Sequence, residues 1–522
     1  MAARARPLTG VHWAGAVLAA LVALGVLAPL GAVLARADWP LALGPADLAA
    51  IRFTLLQAAL SALVSVVLAV PVARALARRS FRGRAALVTL MGAPFLLPVI
   101  VAVLGLLAVF GRAGWLNAAV AAIGLGRIDI YGLHGVVLAH VFLNLPLVVR
   151  LILQGWQAIP SERVRLATAL GFSARDMLAH FERPLLRAVL PGAFLLVFLI
   201  CTTSFAVALI LGGGPRATTV ELAIYQAFRF DFDLGRAAAL GLIQVAICLL
   251  GGALAFRAIR DQDLGPGLDR PAMVWPGDHA LARFGDALAI GVAGLFLVAP
   301  MLAVLLKGLP ALPDLPPQVW AAALRSIILA LASTALAVMM ALPIALLAAR
   351  LARPGLVEGL AFLTIAVSPL VLGTGLFILI RKVADPVALA LPVTGLVNAL
   401  VALPFILRAL VPAAMAAEAT QGRLADALGL GPMARLRHAI LPRLTRPLGF
   451  GAGLAAAFSM GDLGVIALFS QPGQGTLPLE MYRLMGAYRT DDAQGAAVVL
   501  MVLTLAIFWL FDRGGRLDAA TR

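Results

Sequence analysis

Twelve apolar runs of membrane-spanning length divide this chain, and they limit its fold more than any other feature. A bilayer core of about 30 Å requires roughly 20 apolar residues per helix. The chain meets this requirement repeatedly, since 62% of its residues are hydrophobic and only 13% are charged. We therefore expect an all-α integral membrane protein. The predicted spans are 12–34, 53–74, 86–110, 133–155, 193–212, 237–256, 285–307, 320–347, 357–380, 388–411, 448–470 and 494–512.

An internal repeat divides the spans into two sets of six. Positions in a polar segment of the first set return 258 residues later in the same register, which indicates a duplication. The repeated positions are Arg165, Ala167, Gly171 and Pro184 in the first copy and Arg423, Ala425, Gly429 and Pro442 in the second. Because each set has an even number of spans, the repeats are parallel and related by a pseudo-twofold axis along the membrane normal. The predicted organisation is a first unit at 1–256, a linker at 257–283 and a second unit at 284–522.

Each repeated segment, at about 156–187 and 413–446, has the pattern of two short helices separated by a glycine. Ser161 and Thr420 are the predicted N-caps of the first helix in each copy, and Ser173 is the predicted cap of a second helix. The intervening glycine fits the left-handed position that ends a helix. A short amphipathic helix projecting from the membrane suits insertion into a groove of a partner protein.

The charge distribution predicts the orientation. Connector 74–84 holds five arginines and no acid, and both repeated segments are also rich in arginine. The positive-inside rule places these connectors, both repeated segments and both termini in the cytoplasm. The net charge of +16 follows from this asymmetry, so we do not infer nucleic-acid binding. The first apolar run is too long for a signal peptide and is predicted to remain as the first helix.

The repeated segment resembles the EAA motif of the membrane subunits of bacterial ABC importers, in which a glycine is followed by nine residues and then I-x-L-P. The second copy ends in Ala439-Ile440-Leu441-Pro442 and the first in Phe181-Glu182-Arg183-Pro184, both at the required distance from the glycine. The start of the motif differs, because each copy keeps only its final alanine. The resemblance implies two fused six-helix units of the type I ABC importer permease fold, with the repeated segments as ATPase-coupling loops.

Other runs are similar to the fused permeases of bacterial thiamine importers. These runs are 202–205, 212–215, 217–226, 461–469 and 476–479. The resemblance implies a permease that works with two copies of a cytoplasmic ATP-binding subunit and a periplasmic thiamine-binding protein. It also implies no cofactor on this chain, with ATP and Mg²⁺ on the partner subunits. The residues agree, since the chain contains no G-x-x-x-x-G-K-[ST] phosphate loop and no recognisable catalytic constellation.

Ionisable groups inside a membrane are rare, and each one suggests a function. Asp462 lies in an apolar span and could attract a cationic substrate such as thiamine, with Ser204 at the corresponding place in the first half. Alternatively, Asp462 caps a broken helix or pairs with an arginine. Four residues of the outer connectors form a candidate surface for the binding protein or a rim of the outer gate, or else lie in solvated loops. They are Glu221, Tyr225, Glu480 and Tyr482.

Two alternative functions remain open at this point. A fused iron(III) permease would share the plan of two halves. An ion-coupled secondary transporter would also have twelve spans, but it predicts paired charges in midspan and leaves the duplicated segment unexplained.

Overall fold

The computed structural model describes residues 10–39, 43–157, 159–214, 217–258, 280–351, 355–471 and 473–520. Within these ranges the regular structure is entirely helical, which confirms the predicted all-α class. Most of the predicted linker at 257–283 lies outside the described residues.

The described part of the first half contains thirteen α-helices. They are α1 (Gly10–Arg36), α2 (Pro45–Arg78), α3 (Arg84–Leu90), α4 (Ala93–Leu96), α5 (Val99–Phe110), α6 (Trp115–Ala122), α7 (Leu133–Gln157), α8 (Ser161–Ala169), α9 (Ala174–Met177), α10 (Arg183–Thr202), α11 (Phe205–Leu211), α12 (Val220–Arg229) and α13 (Leu234–Ala258).

The second half contains ten α-helices in the described residues. They are α14 (Ala280–Gly308), α15 (Pro317–Ala348), α16 (Gly355–Ala366), α17 (Pro369–Ile380), α18 (Ala390–Ala427), α19 (Pro432–Arg435), α20 (Leu441–Gly461), α21 (Gly464–Phe469), α22 (Leu477–Gly486) and α23 (Thr490–Ala520). The described residues also form a 3₁₀ turn at Leu309–Asp314 and π-helical turns at Leu178–Glu182 and Leu436–Ile440.

The number of spans agrees with the sequence. Among the described residues, 11 helices are long and apolar enough to cross a bilayer, or 12 if the bent pair α16 and α17 counts as one span. The fifth span differs from the predicted 193–212, because the helix of spanning length covers Ala174–Thr202 and stops there. The chain breaks at Thr203 and Ser204 and resumes as α11.

The third span of each half is broken at a proline. Pro98 is the N-cap of α5, and Pro369 is the first residue of α17. Proline lacks an N–H group and restricts the residue before it to extended conformations, so a helix ends there and a new one begins. In the second half the two pieces meet at 83°.

The first helix of each half packs against the other half. Helix α1 contacts α15 and α17, whereas α14 contacts α2 and α5. The crossings are so close that a Cβ atom at Gly375 would lie 2.3 Å from the carbonyl oxygen of Pro29, and one at Gly105 would lie 2.6 Å from that of Pro300. Glycines let helix backbones approach in this way. The two halves are therefore interlocked.

Candidate functional site

The two repeated segments form matching elements at the same end of the bundle as the carboxyl ends of α2 and α15. We call residues 160–184 repeat element one and residues 418–442 repeat element two. Gly171 and Gly429 have φ values of 72° and 63°, so both adopt the predicted left-handed conformation. The predicted cap of α9 is also present, since the Ser173 backbone N–H donates to Asp176 Oδ2 at 2.8 Å and the Asp176 backbone N–H donates to Ser173 Oγ at 3.3 Å.

Two predicted caps are wrong. Thr420 lies inside α18, where its hydroxyl donates to the carbonyl of Ala416 at 2.9 Å. Ser161 is the first residue of α8, and the N-cap is Pro160. The difference has a local cause. Pro160, at the start of element one, interrupts the helix. The same repeat position in element two is Glu418, which allows α18 to continue without a break.

A π-helical turn occurs at the same place in both elements. It covers Leu178–Glu182 in element one and Leu436–Ile440 in element two, 258 residues apart. Pro184 and Pro442 follow as the second residues of α10 and α20, in the first helical turn, where a missing N–H costs little. No residue type in the sequence signals the π turns. Such turns are frequent at functional sites.

Each element buries its alanine and exposes leucines. Ala167 and Ala425 are 2% and 1% exposed. Ala167 packs with Val164 and Met177 in a small core within element one. Two leucines of each element face outward instead, with 60% and 66% exposure for Leu166 and Leu170 and 55% and 65% for Leu424 and Leu428. The two elements therefore present the same apolar surface at the same repeat positions.

The arginines of the repeat have different settings. Arg165 is exposed on α8, whereas the side chain of Arg423 lies outside what the structure describes. The ionic attachment of each element to its own half was not predicted. In element one, Arg74 of α2 pairs with Glu182 at 2.8 Å.

Element two is held by a network of ion pairs in place of the Arg74–Glu182 pair. Glu418 pairs with Arg350 at 3.0 Å and with Arg435, and Arg435 also pairs with Asp426. The signal in the sequence was the exchange of Pro160 for Glu418 between the copies. An acid at that position can bridge α15 and α19, which an imino acid cannot.

Asp462 lies at a second break, between α20 and α21. Its carboxylate lies close to the backbone N–H groups of Gly464, Val465 and Ile466. The N-cap of α21 is nevertheless Leu463, and Asp462 Oδ2 has no hydrogen-bond partner among the described residues. Ser204 occupies the corresponding break before α11 without making a side-chain cap. The structure brings these two breaks together at the junction of the halves.

Two glycines next to Asp462 show how tight this junction is. A Cβ atom at Gly461 would lie 3.1 Å from Pro98 Cα, and one at Gly464 would lie 3.6 Å from Phe205, the residue after Ser204. The broken third span of the first half and the broken fifth spans of both halves therefore meet here.

The four candidate residues of the outer connectors separate into two settings. Tyr225 of α12 and Tyr482 of α22 line one cavity of about 400 Å³ between the halves. Glu480 lies nearby on α22 and pairs with Arg483 at 3.6 Å. Glu221, in contrast, is fully buried. Its side chain points into the bundle and reaches no surface that another protein could contact.

The setting of Glu221 changes its acidity. Neither carboxyl oxygen has a hydrogen-bond partner among the described residues, although the Ser368 hydroxyl lies beside it. Loss of water raises the pKa of Glu221 to about 8, because burial disfavours the charged form. Burial also raises the pKa of Tyr225 and Tyr482 above the ordinary tyrosine value.

The chain is similar to several curated proteins along most of its length. It is 39% identical over 472 residues to the thiamine transport system permease protein ThiP of Brucella abortus, which covers 88% of this chain and 87% of that protein. The proteins of the same name from Salmonella typhimurium and Escherichia coli are 39% and 38% identical, each over 89% of this chain and 88% of their own length. No family model matches the chain.

A shorter permease matches one part of the chain. The molybdenum transport system permease protein ModB of Azotobacter vinelandii is 32% identical over 178 residues, which are 34% of this chain and 78% of that protein. Most of that shorter protein aligns with one third of this chain. A chain that contains two copies of a permease unit is expected to match a single-unit permease in this way.

Proposed function

The chain belongs to the family of thiamine transport system permease proteins, and on that premise we propose how it works. It is a multi-pass inner-membrane protein and the permease of a thiamine ABC importer. The family resemblance drawn from the sequence runs is confirmed, and neither an iron(III) permease nor a secondary transporter is favoured. The remaining statements of this subsection concern its partners, orientation and mechanism.

Two copies of an ATP-binding subunit dock on the two repeat elements. The observation that carries this proposal is the pair of equivalent leucine surfaces, Leu166 with Leu170 and Leu424 with Leu428, each exposed beside a buried alanine. Exposed apolar patches on a structured element are typical of protein interfaces. Because the chain has no phosphate loop of its own, ATP and Mg²⁺ bind on the partner subunits.

Both elements and both termini face the cytoplasm. The support is the concentration of arginine in connector 74–84 and in the two elements. On the opposite side, the cavity between Tyr225 and Tyr482 then opens towards the periplasm. We assign the rim formed by Glu480 and Tyr482 to the contact with a periplasmic thiamine-binding protein.

Transport follows alternating access. Closure of the two ATP-binding subunits draws the repeat elements together, and the ionic contacts Arg74–Glu182 and Arg350–Glu418 transmit this movement to α2 and α15. The breaks at Pro98, Ser204, Pro369 and Asp462 allow the inner pieces of the spans to change angle. Opening of the elements after hydrolysis reverses the movement. The interlocked first helices couple the movement of each half to that of the other.

The test is reconstitution in proteoliposomes with the cognate ATP-binding subunit and binding protein. Thiamine uptake should require ATP, the binding protein and both subunits, and an imposed proton or sodium gradient alone should support none. Iron(III), delivered on its own binding protein, is the matched alternative substrate. Uptake driven by an ion gradient without ATP, or preference for iron(III), would overturn the proposal.

A further inference from the structure

Glu221 is a buried acid that forms no ion pair within the described residues. It is the second residue of α12, its exposure is 0%, and neither carboxyl oxygen has a hydrogen-bond partner in the part of the chain that the structure describes. Buried charges are normally paired, since an isolated one loses its hydration without compensation. An ionisable group in such a place inside a membrane protein therefore marks a functional position.

The position of Glu221 is fixed from both sides. The backbone N–H of Val220 donates to Thr54 Oγ1 at 2.8 Å, which ties the start of α12 to α2 in the first half. The Ser368 hydroxyl, from the second half, lies beside the carboxyl group. Ser368 is the N-cap of α17 at the 83° break of the third span. Glu221 thus lies where the two halves meet and where one span can change angle.

The groups beside Glu221 within the described residues supply no positive charge. They are the hydroxyl of Ser368 and the thiol of Cys248. The first-turn position alone does not account for the residue. Thr219 Oγ1 accepts from the Leu222 N–H at 3.3 Å, so a hydroxyl already caps α12.

Asp462 and Glu480 provide the contrast. The Asp462 carboxylate lies close to three backbone N–H groups, although its Oδ2 has no hydrogen-bond partner among the described residues. Glu480, in the first turn of the equivalent helix α22, is partly exposed and pairs with Arg483. Glu221 has instead the uncharged hydroxyl of Ser368 beside it. Tyr225 and Tyr482 are 257 residues apart, and the same offset places Pro478 opposite Glu221, so the acid is not repeated at that position.

We propose that Glu221 is the group in the membrane pathway that recognises the positive charge of the substrate. The ligand class is a small organic cation. The fixed positive charge of a thiazolium ring would pair with the Glu221 carboxylate, next to which the described residues place no positive charge. This inference rests on the proposed function. Glu221 is enclosed in this structure. Separation of the halves at the Ser368 break exposes its carboxyl group to water, which favours the charged form, and to an entering cation.

The experiment uses the complete reconstituted importer with Glu221→Gln, which removes the charge and keeps the shape. Asp491→Asn, at an exposed acid in the first turn of α23, is the control. Each substrate is loaded on the binding protein: thiamine, or a neutral analogue in which a thiophene ring replaces the thiazolium. The expected result is at least a tenfold loss of thiamine uptake in Glu221→Gln with little change for the analogue. ATP hydrolysis stimulated by the loaded binding protein should stay within twofold, and Asp491→Asn should retain its preference for thiamine.

The outcomes separate this inference from the proposed function. If the unaltered importer does not take up thiamine, the proposed function fails. If it does, and Glu221→Gln keeps the full preference for thiamine over the analogue, Glu221 does not recognise the charge. Should Glu221→Gln fail to fold, Glu221→Met decides, because it also removes the charge while keeping most of the side-chain volume. An unchanged preference in Glu221→Met at normal ATP hydrolysis would then contradict the inference.

Discussion

Two acids that look alike in the sequence have opposite settings in the structure. Both Glu221 and Asp462 lie near short apolar helices, and the sequence favoured Asp462 as the substrate contact and Glu221 as part of an outer surface. The structure places Asp462 close to three backbone N–H groups, whereas it buries Glu221 beside the uncharged hydroxyl of Ser368 and in no ion pair among the described residues. Burial depends on how α12 packs between the halves. That packing joins residues distant in sequence, so local pattern could not predict it.

The position of Asp462 beside backbone N–H groups predicts that uptake and stability depend on its acceptor oxygen more than on its negative charge. Asp462→Asn keeps an acceptor for the N–H groups of α21, so thiamine uptake should stay within about twofold. Asp462→Ala removes the acceptor and should lower the free energy of unfolding by about 1 kcal/mol. Thermal unfolding and uptake of the two variants measure this. A large loss of uptake in Asp462→Asn with normal stability would mean that its charge contacts the substrate.

Burial of Glu221 predicts a dependence of stability on pH. Its pKa is about 8 in the folded protein against 4.5 for the ordinary carboxyl. Between these values the folded protein holds a proton that the unfolded chain releases. The free energy of unfolding therefore falls as the pH rises, by up to about 1.4 kcal/mol per pH unit.

Glu221→Gln cannot release a proton, so its melting temperature should fall less between pH 6 and about pH 8 than that of the unaltered protein. The measurement is thermal unfolding in detergent at several pH values, with Glu480→Gln as the control. Parallel curves for Glu221→Gln and the unaltered protein would show that Glu221 does not hold a proton in the fold.

At the scale of elements, the sequence predicted the repeat elements well and their attachment poorly. The glycine turns and the Ser173 cap depend on residues next to them, so they were visible in the sequence. The π turns have no such local signal. The ion pairs Arg74–Glu182 and Arg350–Glu418 depend on which helix faces the element, and that is decided by packing of the whole bundle.

The leucine surfaces predict a loss of coupling without loss of fold. The double variant Leu170→Asp and Leu428→Asp places a charge on each exposed surface, so the ATP-binding subunit should bind at least tenfold more weakly. Co-purification and thiamine-dependent ATP hydrolysis report this. The control is Val383→Asp, at an exposed residue in the connector after α17. Normal hydrolysis and uptake in the double variant would rule out these surfaces as the docking sites.

The left-handed glycines provide a second test of the same elements. Gly171→Val and Gly429→Val place a β-branched residue at φ values of 72° and 63°, which costs about 1–2 kcal/mol at each position. The turns should distort, and thiamine uptake should fall relative to ATP hydrolysis while the protein still inserts. Gly431→Val is the control, since its φ is not positive and no atom lies within 4 Å of its added Cβ. Full uptake in the double variant would contradict a role of the turns in coupling.

At the scale of the whole molecule, the twelve spans and their division into two sets followed from composition and repeat. The exchange of first helices did not follow from the sequence. Helices α1 and α14 are apolar on most sides, so their residues do not indicate which half they pack against. The close crossings at Gly105 and Gly375 now identify their partners.

These crossings predict an equivalent defect in the two halves. Gly375→Leu should push α1 from α17, and Gly105→Leu should push α14 from α5, because their side chains would overlap Pro29 and Pro300. Each variant should lower the melting temperature and the amount of protein in the membrane. Gly291→Leu, in α14 with no atom within 4 Å of its Cβ, is the control. Unchanged stability in the crossing variants would show that the first helices are not held there.

The exchange of first helices also has a consequence for biosynthesis. Helix α1 enters the bilayer early, but its partners α15 and α17 emerge from the ribosome only after the entire first half and the linker. Until then α1 lies in the bilayer without these two partners, and of its own half it contacts α13. Joining both halves in one polypeptide keeps the waiting helix tethered to the chain that will eventually receive it, so assembly needs no encounter between separate subunits.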